Sequence, residues 1–459
     1  MMGELPPAQN SLFYDFCLEK HVPQDHFLRQ VDTFLDFSAI RNHLQPFYSH
    51  TGRPSIDPEL MIRMLIIGYC YGIRSERRLC EEVNLNLAYR WFCQLGLEKT
   101  IPDHSTFSKN RHGRFRASSL FREVFNSVLN RCMEEGLVKA EGFAADASFI
   151  RADVSRQCME HSPVDWTSDK TESRAVKEYL DFLDKDPNLI RPQKSVSLTD
   201  PMCQWSGAKG PANFFYSTNY MIDVDNNIIV DVEGSPSTHA MEVSATKTMI
   251  ERTEKTHGLK PKKFIADTAY GSGYNLAYLV GEKNIEPHIP LWEKGERKDG
   301  TFSRSDFEWN DEADEYTCPA GKQLKRFRRN YKTPRTGITK AGEIKYRASV
   351  TDCRNCPLKE KCCPNTEYRK VTRSVHEKFR DEARSITSSN VYLNRSRHER
   401  KKVEMLFAHM KRNLNFNRLR LRGLNSANDE FIMVAIAQNL KRLVKICGYS
   451  PPNTGLVCL

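Results

Sequence analysis

The sequence predicts an α/β protein with a helical N-terminal region, a mixed sheet and a basic, cysteine-containing segment that precedes the C-terminal helices. Three observations support this fold class. Apolar residues recur at helical spacing over about the first 140 residues, strand-like and helical runs alternate from residue 142 to residue 290, and helical spacing returns near residue 396. Strands and helices that alternate along a chain are typical of an α/β layer.

The N-terminal region is predicted to consist of short helices. Helical spacing covers Asp57–Gly72 and Ser75–Leu95, and Pro102-Asp103-His104-Ser105-Thr106 starts a further helix that runs through Arg116. Asp57 is the predicted N-terminal cap of the first helix. Short helices joined by tight turns suit a helix-turn-helix DNA-binding domain, and they suit a plain helical bundle about as well.

The strands of the predicted sheet are short and apolar. Gly142–Ile150 contains a single carboxylate, and Phe214–Val232 holds two alternating runs around Asp225-Asn226-Asn227, which predicts a β-hairpin. The elements predicted after the hairpin are a helix at Met241–Thr256, a strand at Lys263–Asp267, a helix at Tyr274–Lys283, a strand at Ile285–Pro290, and helices at Ser396–Leu414 and Asp429–Ile446.

The positive charge of the chain is concentrated in two segments. The formal net charge is +11, yet residues 321–376 hold 16 basic and 4 acidic residues, and residues 395–422 hold 10 basic and 2 acidic ones. The rest of the chain is therefore mildly acidic, which favours a surface that binds nucleic acid over a uniformly solvated charged face. The residues predicted to bind the DNA backbone are Arg400, Lys411, Arg412, Arg418, Arg420 and Arg422.

Composition and apolar runs exclude several classes of protein. With 39% hydrophobic and 28% charged residues, the chain resembles a globular protein and not a collagen or a low-complexity chain. The most apolar run, Leu60–Ile73, contains Arg63 and falls short of the ~20 residues that a membrane span needs. Residues 1–10 lack the basic and apolar regions of a secretory signal. These features predict a cytoplasmic protein that contacts no membrane.

Two carboxylates lie at or just past the end of an apolar strand, Asp146 in the first strand and Asp267 after the strand that follows the hairpin. Burial of a lone carboxylate is costly, so a cation or a hydrogen-bond donor is expected beside each one. Either Asp also suits the role of a helix cap or turn residue. Asp153 is a competing first carboxylate, but it follows the strand instead of lying in it.

A third carboxylate is predicted on the C-terminal helix. Arg400, Glu404 and Lys411 are spaced by four and seven residues, so they project from nearly one helical face. An ordinary ion pair on a solvated helix is the alternative, but Val403 and Phe407 place Glu404 at the edge of an apolar surface. Three carboxylates can hold two divalent ions that activate a water or a 3′-OH at a phosphodiester. We therefore predict Asp146, Asp267 and Glu404 as catalytic ligands of Mg²⁺, with Mn²⁺ able to substitute.

The segments around these carboxylates resemble a known family. Asp146-Ala147-Ser148, Asp267-Thr268-Ala269 and Val403-Glu404-Met405, in this order, are similar to the motifs of the DDE transposases of bacterial insertion sequences. The resemblance implies an RNase H-like catalytic domain, a helical N-terminal domain, and metal-dependent DNA cleavage and strand transfer at the element ends. It also implies a homodimer or larger complex on DNA. Arg397 departs from the pattern, because the family has Tyr at that position.

Two other functions remain open on the sequence alone. A non-catalytic or regulatory DNA-binding derivative would use only the basic segments, and an RNase H-like nuclease would cut DNA without joining strands. The domain organisation predicted from pattern and resemblance is a helical DNA-binding domain at 1–135, the first part of an RNase H-like core at 136–292, a basic cysteine-containing insertion at 293–390, the C-terminal helices of the core at 391–449, and a tail at 450–459.

The cysteines of the predicted insertion have metal-ligand spacing. Cys353-x2-Cys356-x5-Cys362, with Cys318 upstream, could supply four thiolates to a structural Zn²⁺. Free thiols are the alternative. The segment has few apolar residues, which predicts that something other than an apolar core folds it.

Overall fold

The computed structural model of the protein describes most of the chain, and the chain forms two compact units. Unit 1 is drawn from Met1–Ala140, Asp146–Lys260 and Lys402–Leu459, and unit 2 from Glu141–Ala145 and Pro261–Lys401. The predicted helix end at Arg116 and the predicted tail lie outside the described residues. The described residues are 16–48, 55–113, 115, 118–166, 173–185, 193–207, 210–292, 297, 299–327, 336–339 and 342–448.

The N-terminal part of unit 1 is helical, as predicted. Its helices are α1 (Leu18–His21), α2 (Phe27–Phe34), α3 (Ser38–Leu44), α4 (Pro58–Cys70), α5 (Glu76–Leu85), α6 (Leu87–Phe92), α7 (His104–His112) and α8 (Leu120–Glu134). Helix α4 starts as predicted, because the Asp57 carboxylate accepts the backbone N–H of Glu59 at 2.8 Å. The helical pattern of Ser75–Leu95 is divided into α5 and α6, because Asn86 is extended and its side chain caps α6.

The most apolar run of the sequence forms the buried helix α4. Its one charged interior side chain, Arg63, donates to the carbonyl oxygen of Phe92 and to the carboxylate of Glu59, each at 2.9 Å. These partners satisfy the guanidinium in a buried environment. Within the described residues, no helix combines the length and the apolar character that crossing a membrane requires.

The rest of unit 1 contains the antiparallel strands and the longest helix. The elements that follow α8 are β1 (Gly142–Arg151), β2 (Met159–His161), α9 (Arg174–Lys185), β3 (Ser195–Ser197), β4 (Gln204–Ser206), β5 (Asn213–Asp223), β6 (Ile228–Pro236) and α10 (His239–His257). Strands β5 and β6 form the predicted hairpin, and β4 also pairs antiparallel with β5. The first four residues of β1 belong to unit 2.

Unit 2 contains parallel strands and a second sheet. Its elements are β7 (Lys263–Ile265), α11 (Gly273–Leu276), β8 (Glu286–His288), β9 (Glu308–Asn310), β10 (Glu315–Thr317), β11 (Gln323–Arg326), β12 (Glu343–Arg347), α12 (Val350–Arg354), α13 (Lys359–Cys362), β13 (Lys370–Ser374), α14 (Glu377–Ser388) and α15 (Arg397–Glu399). Strand β7 pairs in parallel with the start of β1 and with β8. The protein therefore has the predicted mixture of parallel and antiparallel pairing.

The second sheet corrects one prediction from the sequence. Strands β9 to β13 form an antiparallel sheet with its own apolar core, in which Phe307, Tyr316, Leu324 and Tyr346 are buried. Arg373 adds to this core, since its guanidinium lies 4.0 Å from the ring centroid of Trp309. The expectation that something other than a core must fold this segment is therefore wrong. A few large aromatic side chains supply the buried area that the composition seemed to lack.

The C-terminal helices are present where predicted. A π-helical turn at Tyr392–Ser396 leads into α15 and α16 (Lys401–Arg412), and α17 (Leu424–Cys447) follows after a short segment. Helix α17 packs on β6, where the amide of Asn439 accepts the backbone N–H of Ile229 at 2.9 Å and donates to its carbonyl oxygen at 2.8 Å. These two bonds fix α17 against the hairpin of unit 1.

Candidate active site and nucleic-acid interface

Asp146 lies within β1, as predicted, and is half-buried. Its Oδ1 accepts the backbone N–H of Ala147 at 2.8 Å. Side chains two residues apart in a strand point to the same face, so Asp146 shares its face with Ser148. The polar face of β1 therefore carries a carboxylate and a hydroxyl in succession.

Asp267 follows β7 and caps a short 3₁₀ turn. Its Oδ1 accepts the backbone N–H of Ala269 at 2.9 Å, so the capping role that the sequence left open is present. The last paired residues of the parallel strands β1 and β7 are Ala144 and Ile265. Asp146 and Asp267 each follow this pair by two residues, but Asp146 lies within β1 whereas Asp267 lies after the end of β7.

Glu404 is an exposed residue of α16, beside a buried apolar face. Val403 and Phe407 are buried, as predicted, whereas Met405 is 68% exposed. The carboxylate thus lies at the edge of the packed surface of the helix and is accessible from solvent.

Helix α16 is held against the C-terminal half of β1 within unit 1. The ammonium group of Lys411 donates to the hydroxyl of Ser148 at 2.8 Å. The chain after α16 continues this attachment, since the backbone N–H of Leu419 donates to the carbonyl oxygen of Arg151 at 2.8 Å. No local sequence pattern indicates Ser148 as a partner of Lys411, because the contact joins residues 263 positions apart.

The predicted DNA-binding arginines after α16 have different surroundings. Arg418 donates to the carboxylate of Asp153 at 2.9 Å, and the Nε of Arg422 donates to the carbonyl oxygen of Asp153 at 2.8 Å. This pairing gives Asp153, the competing first carboxylate, a structural role. Arg420 is exposed, and within the described residues its guanidinium has no carboxylate partner. Arg420 is therefore better placed than its two neighbours to contact a phosphate.

Two segments of the chain match known protein families. Residues 16–113 match a family described as a transposase domain (DUF772), and residues 317–444 match a transposase DDE domain. The chain belongs to the DDE transposases. The first match spans the helices from α1 to α7 of the transposase, and the second contains Glu404. Asp146 and Asp267 lie outside both matched segments, so their assignment depends on their strand positions.

The four predicted zinc ligands of the transposase line one pocket of unit 2. Cys318, Cys353, Cys356 and Cys362 face it together with Cys363. The Sγ of Cys318 accepts the backbone N–H of Lys322 at 3.3 Å. Burial, and after it the neighbouring Cys363 thiol, raises the pKa of the Cys362 thiol to about 12.

The described part of the transposase contains no preformed cluster of metal ligands. No group of three or more His, Cys, Asp or Glu side chains there is placed to hold a metal ion. This applies to the three carboxylates that the sequence predicts as catalytic and to the cysteines of the pocket.

Unit 1 contains a cluster of arginines that the sequence pattern does not predict. Arg74, Arg77 and Arg111 line one cavity with Arg420. The run Arg74-Ser75-Glu76-Arg77-Arg78 was the available signal, but it lies outside the two most basic segments. The clustering depends on contacts between helices that are distant in the sequence.

Proposed function

We propose that this transposase cleaves DNA at the ends of its insertion sequence and joins the exposed 3′-OH groups to target DNA, with Asp146, Asp267 and Glu404 as catalytic residues. The observation that supports this proposal most strongly is the hydrogen bond between Lys411 and Ser148. The family match supports DNA transposition in general, and the contact connects the elements that carry two of the three carboxylates.

The contact has a geometric consequence for Asp146 and Glu404. Lys411 lies seven residues after Glu404, which is about two helical turns, so both side chains project from nearly the same face of α16. Ser148 lies two residues after Asp146 on the same face of β1. Because Lys411 reaches Ser148, the face of α16 that carries Glu404 is turned toward the face of β1 that carries Asp146.

Strand register supports Asp267 as the third member. Asp146 and Asp267 follow the paired residues Ala144 and Ile265 by the same number of positions. In parallel strands the carboxyl ends meet at one edge, and ligands of α/β proteins bind at that edge. A parallel β1–β7–β8 set, together with the antiparallel β5–β6 hairpin, suits the RNase H-like core that the resemblance implies.

Three carboxylates are suitable ligands for Mg²⁺ or Mn²⁺, because hard divalent cations prefer oxygen donors. Such ions would activate the attacking oxygen and stabilise the leaving oxygen at the phosphodiester. The protein residues contribute position and charge. Asp267 is held by its capping bond to Ala269, and the Lys411 ammonium places a positive charge beside β1, where a DNA phosphate would be attracted.

The proposal is tested with Asp146→Asn, Asp267→Asn and Glu404→Gln, and with Glu382→Gln as a control that changes an exposed carboxylate of α14. We expect all four variants to bind DNA that carries the element ends. Only wild type and Glu382→Gln should cut this DNA with Mg²⁺ and excise a marker flanked by the DNA that borders the gene. Cutting by Glu404→Gln would contradict the assignment, and a wild type that binds but never cuts would favour the non-catalytic alternative.

The joining reaction requires two element ends at one place, so we propose a homodimer or larger assembly on DNA. Light scattering after size-exclusion chromatography measures the mass of the protein with and without end DNA. We expect at least two protein chains in each complex. A complex with a single chain on each DNA end would contradict this proposal.

We also propose a structural Zn²⁺ held by Cys318, Cys353, Cys356 and Cys362. Support comes from their shared pocket and from the backbone N–H that Lys322 directs at the sulfur of Cys318. The Cys362 thiol, whose pKa is raised, stays protonated unless a metal displaces the proton, so zinc binding should release protons. Since the sheet β9–β13 has its own core, the zinc would add to its stability and not be its sole support.

Zinc release during thiol titration of the purified protein tests this site. A structural site should be close to fully occupied, so we expect about one Zn per chain. Cys356→Ser should lose it, and Cys17→Ser, which changes an exposed cysteine of unit 1, should keep it. A content below ~0.2 Zn per chain in wild type would reject the site in favour of free thiols.

A further inference from the structure

We propose that a cavity of unit 1, walled by arginines, holds a phosphate group of the DNA backbone. The cavity has a volume of about 330 Å³. Its cationic walls are Arg74, Arg77, Arg111 and Arg420. The inference rests on the DNA binding of the proposed function and names a site for it that is separate from the catalytic carboxylates.

The acidic side chains of the cavity are already engaged. Glu430 is 1% exposed, and it pairs with Arg74 and accepts the backbone N–H groups of Arg420 at 2.7 Å and Leu421 at 2.8 Å. Glu76 pairs with Arg111, at 3.4 Å between Oε1 and Nη1. Neither carboxylate is thus available to neutralise a further cation.

Two arginines of the cavity keep their charge for a ligand. Arg77 and Arg420 are exposed, and in the described ranges neither guanidinium is paired with a carboxylate. Arg77 has His104 as a neighbour, at 3.5 Å between Nη2 and Nε2. Four arginines against two glutamates leave an excess of positive charge, so the cavity should attract an anion.

Within the described part of the chain, two buried hydrogen-bond donors without partners also indicate an anionic ligand. The Arg74 and Arg111 side chains are each 7% exposed, and among the described residues their Nε atoms have no hydrogen-bond partner. Buried donors are usually paired, so such an exception requires an explanation, and an absent ligand is one. The guanidinium fork suits phosphate oxygens because it donates two parallel hydrogen bonds.

Two helix N-termini border the cavity and add to its positive field. Helix α5 begins after Ser75, whose Oγ accepts the backbone N–H of Arg78 at 3.4 Å, and His104 is the first residue of α7. Ser75, Glu76 and His104 all line the cavity. The N-terminus of a helix favours negative charge, and phosphates bind there frequently.

DNA is the source of phosphate that the surroundings favour. Arg420 belongs to the basic segment 395–422, and α5 and α7 lie within the matched transposase domain. The exposed Arg77 and Arg420 give access to a ligand too large to be enclosed. A backbone phosphate needs no sequence-specific base contact, so this site would position the duplex and not select its sequence.

The test measures binding of the full-length protein to a duplex of unrelated sequence between about 50 and 200 mM salt. The slope of log affinity against log salt reports the number of phosphates neutralised. Because the cavity holds one phosphate, Arg77→Ala and Arg420→Ala should each lower the magnitude of the slope by up to about 1, and the double variant by no more than about 1 in total, uniformly across duplex sequences. Arg78→Ala is the matched control, because Arg78 is 69% exposed and pairs with Glu82.

The outcomes separate this inference from the catalytic proposal. Slopes unchanged from wild type in both Arg77→Ala and Arg420→Ala would overturn the phosphate site, even if Glu404→Gln abolishes cutting. A lowered slope together with cutting by Glu404→Gln would keep the site and overturn the catalytic assignment. A wild-type protein that binds no duplex would reject DNA as the ligand. A thermal melt of each variant shows whether it is folded.

Discussion

The Lys411 ammonium donates a hydrogen bond to the Ser148 hydroxyl, with 2.8 Å between Nζ and Oγ. The bond joins α16 to β1, the two elements of unit 1 that hold Glu404 and Asp146. A positive charge at this position would attract a DNA phosphate and would hold the two carboxylate-bearing faces toward each other. Lys411 is therefore a positioning residue in the proposed site.

Lys411→Met removes the charge and keeps the length of the side chain. A hydrogen bond to a charged group contributes about 1.5–3 kcal/mol, so we expect single-turnover cleavage of end DNA to slow by roughly 10- to 100-fold. Lys411→Arg should restore part of the rate. Lys401→Met, which removes an exposed lysine at the start of α16, is the control. A wild-type cleavage rate in Lys411→Met would contradict the positioning role of Lys411. So would additive effects of Lys411→Met and Ser148→Ala on the cleavage rate, because additivity means that the two residues do not act together.

Local sequence patterns were sufficient to predict the hairpin and the strands near Asp146 and Asp267. Asp225-Asn226-Asn227 predicted the hairpin because Asn tolerates the turn backbone, and Asn227 has a positive φ of 57°. The strand patterns before Asp146 and Asp267 were also sufficient, because each strand is buried and apolar. Helical spacing did not predict the break at Asn86, because the apolar pattern continues through this residue while its side chain caps a new helix.

Contacts between distant residues could not be predicted. Arg74 and Glu430 form a buried pair across 356 residues, so no local pattern shows that they meet. The sheet β9–β13 was missed for a related reason. Its short strands are stabilised by side-chain stacking such as that of Arg373 on Trp309, and strands of three to five residues are too short to show a clear alternation of apolar and polar residues.

Asp200 should make the stability of unit 1 depend on pH. Burial raises the pKa of this carboxyl to about 6, although the hydroxyl of Tyr216 and the backbone N–H of Gly423 donate to it and lower the pKa. A raised pKa in the folded state favours the protonated form. Its contribution to stability is therefore present below the unfolded pKa of about 3.9 and is lost as pH rises through 6.

The prediction is tested by chemical denaturation of wild type and Asp200→Asn from pH 4 to pH 7. Asn does not titrate, so the difference between the two proteins isolates this group. Relative to the variant, wild type should lose about 2–3 kcal/mol of unfolding free energy as pH rises. A difference that stays constant over this range would show that the Asp200 pKa is unshifted.

Gly423 occupies a backbone conformation that only glycine adopts readily. Its φ is 87° and its ψ 151°, and an added Cβ would lie 2.7 Å from the Oε2 of Glu178. We expect Gly423→Ala to lower the free energy of unfolding by about 1–3 kcal/mol. Gly96→Ala is the control, since that glycine has open space around its Cβ position. Equal stability of the two variants by denaturation would contradict the strain argument.

Glu430→Gln should be the most destabilising of these substitutions. Glu430 is the buried partner of Arg74, and it also accepts the backbone N–H groups of Arg420 and Leu421. Loss of one charge from a buried ion pair leaves the other uncompensated and costs about 3–5 kcal/mol. Glu82→Gln is the matched control, because Glu82 pairs with the exposed Arg78 and should cost about 0–1 kcal/mol.

The same variant discriminates between two roles for Glu430. If it supports the fold of the arginine cavity, Glu430→Gln should lower both the unfolding free energy and the salt slope of DNA binding, because the Gln amide nitrogen cannot accept the hydrogen bond that Arg74 donates and Arg74 is displaced from the cavity wall. If it only neutralises Arg74, the stability should fall while DNA affinity rises, since one more positive charge becomes available to a phosphate. Chemical denaturation and a salt titration on one preparation measure both quantities, and a loss of less than about 1 kcal/mol would show that Arg74 finds another partner or solvent.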